Sequence, residues 1–235
     1  MAKGTYQTYT AETTIEDYRA DFIHRGAMAS ALSKRYPDLG LISTEASTIL
    51  AQIDTRRDEL QQAEDDQIRS RAIEDAEKFD VVEVYTELRR TMFAKKYDIA
   101  TLLPDSPSIL GRLGAKSFGA RLDQAVANLK ALPAQDPMKL VLLPALKQEL
   151  DEFHQADIAE DKTREGLNSN KMALTLYKTE LSQAREAHLG AILKIIGDSE
   201  KMALFTLPWR KASKAKAKDD EPAAPTTPVT PPPVS

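Results

Sequence analysis

Between Glu45 and Leu103 the chain contains neither glycine nor proline. A stretch of that length without a helix breaker, rich in Glu, Gln, Arg, Lys and Ala, points to long helix and constrains everything that packs around it. Its apolar residues fall into two groups. Ile49, Ile53 and Leu60 mark one stripe, while Val81, Val84, Tyr85, Leu88, Met92 and Ile99 mark another; the charged run Glu64-Asp65-Asp66 through Arg71 lies between them. One helix of ~60 residues would be about 90 Å long at 1.5 Å per residue. A helical hairpin turning near Ile73–Asp80 is the favoured expectation, because a stripe packed on a neighbour offsets the cost of ordering. The pattern by itself leaves both forms open.

The flanking segments read in the same way. Thr13 or Thr14 can cap a helix over Ile15–Tyr36, with Glu16 and Asp17 in its first turn and Pro37 and Gly40 beyond its end. Downstream, Leu102 to Pro107 closes the first half. A short helix is expected over Ser117–Leu132, a break at Pro133–Pro137, and a long helix from Met138 to Arg164. Gly166-Leu167-Asn168-Ser169-Asn170 carries a turn composition. The last helix then places Leu174, Leu181, His188 and Ile195 seven residues apart, the spacing of a packed helical seam.

The two halves resemble one another. Shifted by 93 residues, Asp58-Glu59-Leu60-Gln61-Gln62-Ala63-Glu64 lies on Asp151-Glu152-Phe153-His154-Gln155-Ala156-Asp157, and Thr86-Glu87-Leu88 lies on Thr179-Glu180-Leu181. Separate blocks sharing one offset indicate an internal repeat. The expected fold is therefore all-α: two tandem three-helix units, each a short helix plus a long helical hairpin, giving about six helices in an elongated bundle. Residues 1–13 are expected to be a flexible arm, 14–110 the first unit, 111–209 the second, and 210–235 a disordered Lys/Ala- and Pro-rich tail.

Composition removes several functional classes. The chain has no cysteine, which excludes disulfides, thiol catalysis and thiolate metal sites. Net charge is −4, and the five cations and three acids of residues 210–235 leave the rest of the chain more acidic still, so a nucleic-acid-binding body is not expected. The polar start MAKGTYQTYTAETT reads as neither secretory signal nor anchor, and the most apolar run, Leu140–Leu146, is broken by Pro144. A cytoplasmic location, with no membrane contact, is the expectation.

Candidate chemistry is sparse. Asp21-x-x-His24 and Asp151-x-x-His154 place a carboxylate and an imidazole one helical turn apart, but the repeat does not match them to each other, which favours helix-flank residues over a di-iron arrangement. Glu59 with Glu152, and Glu87 with Glu180, are acids retained at matching positions. Pointed inward with His154 they could cage a metal; pointed outward they would pair with Lys or Arg a turn away. His188 sits on an apolar spacing and reads as a packed residue. Gly114-Ala115-Lys116-Ser117 lacks the full phosphate-loop spacing and the strand before it. Leu204 to Trp209, with the sole tryptophan, forms an apolar end to the folded part and is expected to fold back onto the last hairpin; exposed, Phe205, Leu207 and Trp209 would be the partner anchors. No catalytic group and no cofactor is expected. The reading that remains is a non-enzymatic helical structural or adaptor protein, acting on a protein partner or through self-assembly, with at most a weak nucleic-acid contact through the tail. The alternative is a helical-bundle metal- or small-ligand-binding protein using the matched carboxylates.

Overall fold

The computed structural model describes residues 9–207. In chain order it contains helices α1 (Ile15–Leu32), α2 (Leu39–Ala94), the single turns α3 (Ile99–Leu102) and α4 (Pro107–Leu110), α5 (Ala115–Lys130) and α6 (Leu143–Ile196). A π-helical turn, Met138–Leu142, leads into α6, and a 3-10 turn, Lys201–Phe205, follows it. Among the described residues there is no strand.

The two expected hairpins are instead two continuous helices, α2 of 56 residues and α6 of 54. They run antiparallel. Glu45 meets His188 near one end, Gln52 meets Tyr177, and Glu64 approaches Lys171 towards the middle. Each is about 80 Å long. The segment expected to turn, Ile73–Asp80, holds no breaker and lies within α2. Gly166 and its polar neighbours are absorbed into α6, where a glycine costs only about 1 kcal/mol against alanine and Leu167 is buried. Side-chain pairs one turn apart also support the middle of the helices: Gln61 with Asp65, Gln62 with Asp66, and Arg164 with Glu160.

Short helices and loops complete a core at each end. At one end the second half of α2 (Val81, Tyr85, Leu88, Met92) packs with α5 (Phe118, Leu122, Leu129) and the start of α6 (Leu146, Phe153). Gly119 permits this, because a Cβ there would lie 2.8 Å from Cε1 of His154. At the other end α1 (Tyr18, Phe22) packs on Ala46 and Ile53 of α2 and on Tyr177 and Leu181 of α6. Ala29, Leu39, Ile42, Ile192 and Phe205 continue that core outward. Both cores therefore draw on residues from 14–110 and from 111–209.

The halves match in structure at an offset near 100 residues. Ile15 and Ala115 start the short helices, and Tyr18, Phe22, Ala46, Ile53, Val81 and Met92 are buried as are Phe118, Leu122, Leu146, Phe153, Leu181 and Ile192. The 93-residue register is one heptad away. It sets the buried Phe153 against Leu60, which is only partly buried. A seam that repeats every seven residues resembles itself after a seven-residue slip, which is why the sequence supports both registers.

Residues 9–13, expected to belong to a flexible arm, are instead placed against the helices. Tyr9 is buried, its carbonyl accepting a hydrogen bond from Ser182 Oγ at 2.9 Å, so residues 9–13 form a strap against α1 and α6. Residues 1–8 and the 210–235 tail lie outside the described residues.

Candidate functional site

Two features concentrate polar side chains. The first is a buried ion cluster beneath the Tyr9 strap. Thr14 caps α1 by accepting from Asp17 N–H, which fixes the helix so that Asp21 and Arg25 share the face of Tyr18 and Phe22. Asp21 and Arg25 are fully buried and paired with each other. Arg185 of α6, also buried, brings Nε to 3.3 Å from the same Asp21 oxygen and Nη1 to 3.0 Å from Glu186. Its guanidinium lies 4.3 Å from the Tyr9 ring centroid. His188 stands edge-on to Phe22 and places Nε2 3.1 Å from a Glu45 oxygen.

Burial sets the electrostatics here. It pushes the Asp21 carboxyl up and the Arg25 guanidinium down, and the attraction between them opposes both shifts. His188 is held below the usual histidine range by burial and by Arg25, against the pull of Glu45. The Tyr9 phenol is pushed up to about 12, first by burial and then by Asp21. Among the described residues, Asp21 Oδ1, Arg25 Nε and His188 Nδ1 have no hydrogen-bond partner, and the contact of Arg185 Nε with Asp21 is an ion pair without hydrogen-bond geometry. The cluster ties α1 to α6 through Asp21 and Arg185, and breaking one member leaves an uncompensated charge.

The second feature is a polar waist. Facing α6 at seven-residue spacing, α2 presents Ile53, Leu60, Gln67, Glu74, Val81 and Leu88, so the apolar seam gives way to polar residues for two heptads. There the helices border a groove of about 660 Å³, walled by Arg71, Glu74, Asp157, Glu160 and the Gly114–Ser117 start of α5. Burial, with Asp157 and Glu160 next, raises the Glu74 pKa. A short way along, Glu77, Asp80 and Glu149 bring carboxylate oxygens within 4.8 Å of one another.

Of the acids singled out from the sequence, Glu59 and Glu180 come together and the others stand apart. Glu59 is half-exposed, 3.7 Å from Arg56, and lines a shallow groove with Tyr177 and Glu180. Glu87 pairs with Arg90 in solvent. Glu59 and Glu87 lie on one helix about 42 Å apart, so they cannot share an ion. Glu152 accepts from Gln148 at 3.0 Å, and His154 stands 3.5 Å from Asp123. The Asp21 and His24 pair separates too, His24 Nε2 reaching the Leu204 carbonyl at 2.8 Å. In all three histidines Nε2 stands beside a carbonyl or carboxylate oxygen.

The proposed anchor requires correction at one position. Phe205 is fully buried among Leu39, Ile42 and Ile192, because the 3-10 turn folds it back onto the core. Leu207 is partly exposed, and Trp209 lies outside the described residues. The buried cluster went unnoticed in the sequence, although Tyr18, Asp21, Phe22 and Arg25 share one helical stripe. That placement of an i, i+4 ion pair among core positions was the available signal.

No family of known proteins, no curated protein and no solved structure matches the chain.

Proposed function

We propose that this chain is a helical scaffold or adaptor whose work is done by surface contacts with protein, either a partner or another copy. One observation carries the reading: two continuous antiparallel helices of 56 and 54 residues keep large apolar residues exposed along their middle, Ile68 and Phe79 on α2, Ile158 and Met172 on α6. Large apolar side chains left 61–69% exposed at several points along one rigid helix pair offer contact points for a protein surface. The matching of buried positions at an offset near 100 supports reading the two halves as a duplication, with two equivalent short helices bracing one long pair.

A photo-crosslinking amino acid at Ile68 or Ile158, with Arg69 as control, tests this reading. The expected result is a defined protein adduct from the two apolar positions and none from the control. Equal, diffuse labelling at all three would overturn the scaffold reading. The alternative, a metal-binding bundle, draws support from the Glu77, Asp80 and Glu149 carboxylates. Elemental analysis separates the two: near-stoichiometric iron, manganese or zinc, lost on Glu77→Ala, would favour the metal protein.

A further inference from the structure

The exposed face around Phe79 has a complement elsewhere in the same sequence. A shallow groove of about 490 Å³ on α2 is lined by Phe79, Val82, Val84 and Thr86 and edged by Glu83 and Glu87. Phe79 is 61% exposed in it. From Glu74 to Glu87, α2 carries six carboxylates and one lysine. The last described residue, Leu207, is followed by Pro208, Trp209, Arg210 and Lys211, and by three more lysines before the first acid, Asp219. An aromatic residue followed by five cations is thus the charge-and-shape counterpart of an apolar groove edged by Glu83 and Glu87 on an acidic stretch of α2.

Reach decides whose segment fills the groove. Phe205 is packed on Ile42, and Phe79 lies 37 residues further along the same helix, about 55 Å away at 1.5 Å per residue. From Leu207 to Trp209 an extended chain spans only about 7 Å. The groove is therefore beyond the reach of the molecule's own Trp209.

We infer that the segment from Leu207 to Lys218 of a second copy occupies the Phe79 groove, and that two copies do this reciprocally. Antiparallel alignment of two α2 helices sets Phe79 of each beside Ile42 of the other, so one two-fold axis satisfies both contacts and closes the assembly as a dimer. Trp209 supplies the apolar anchor, and Arg210 and Lys211 meet Glu83 and Glu87 at the rim. This inference rests on the self-assembly form of the proposed function.

Sedimentation equilibrium of the full chain at low and high salt tests it, with circular dichroism as the folding control. The wild type should be a dimer that weakens as salt rises. Phe79→Ser, Trp209→Ala and a chain ending at Leu207 should each dissociate at least about tenfold more readily. Glu83→Lys with Glu87→Lys should do the same, and adding Arg210→Glu with Lys211→Glu should restore the dimer. A monomeric wild type, or a dimer indifferent to loss of residues 208–235, overturns the inference. A monomer that still gives a defined heterologous adduct at Ile68 removes this inference alone and leaves the adaptor reading standing.

Discussion

Gln67 of α2 donates a hydrogen bond from Nε2 to Oε1 of Glu160 on α6, at 3.2 Å, between the two apolar end cores. The amide and carboxylate link the helices where the apolar cores of the two ends do not reach. Backbone amides near Gln67 should therefore exchange with solvent faster than those near Leu88. Hydrogen exchange read by mass spectrometry checks this, and equal protection at both places would contradict it. Gln67→Leu combined with Glu74→Leu should add roughly 2 kcal/mol and raise the melting temperature by roughly 5 °C, from partial burial of two side chains.

Leu88→Ala and Leu181→Ala should each destabilise by ~2–5 kcal/mol, since both side chains are buried in the end cores. Leu60→Ala, at a partly buried waist position, should lose less than either. Urea unfolding of the three variants gives the ranking, and a Leu60 loss equal to the others would place a continuous core along the seam.

Removing the carboxylate from the ion cluster should be severe. Asp21→Ala leaves Arg25 and Arg185 facing one another under the Tyr9 strap and should destabilise by ~3–5 kcal/mol. Asp21→Leu with Arg25→Met should recover most of that loss, because Arg185 keeps Glu186 at 3.0 Å. Thermal melts of the single and double variants decide between a charge penalty and a packing one.

His188 predicts the acid limb of stability. Its folded pKa is depressed, first by burial, so the unfolded chain takes up the proton first. The stability due to the neutral ring is complete above the ordinary value of about 6.5 and declines as the pH falls below it. His188→Leu, which copies the buried Leu88 about 100 residues earlier, should flatten that decline. Urea midpoints measured across the window test this; an unchanged slope would assign the pH dependence elsewhere.

The short helices were legible because local signals and tertiary packing agree there. The Thr14 cap was readable for the start of α1, and Pro133 for the end of α5. The turns expected at Ile73–Asp80 and Gly166–Asn170 failed for a tertiary reason. Each long helix is anchored in a different core at either end, and this cooperativity outweighs one glycine and a polar run. The ion cluster was hidden because Arg185 lies 160 residues from Arg25. No local pattern shows that a charged residue on one helix will meet an opposite charge on another. The separation of Glu87 and Glu152 from Glu59 and Glu180, which share one shallow groove, has the same origin, since matching position in a repeat does not specify which way a side chain points.

The division of the apolar residues into two end cores also imposes an order of assembly on a chain made from its N-terminus. Tyr85 and Phe118, together in one core, are 33 residues apart, whereas Ile53 and Tyr177 in the other are 124 apart. The first core can close once Phe153 has been synthesised; the second must wait for Leu181 and Ile192, and its loop is longer. Until then α1, with Tyr18, Phe22 and an already paired Asp21 and Arg25, has only the first half of α2 to shelter against. The N-terminal half of the chain is thus the interval in which a nascent molecule is most open to chaperones or to pairing with a neighbouring ribosome's product.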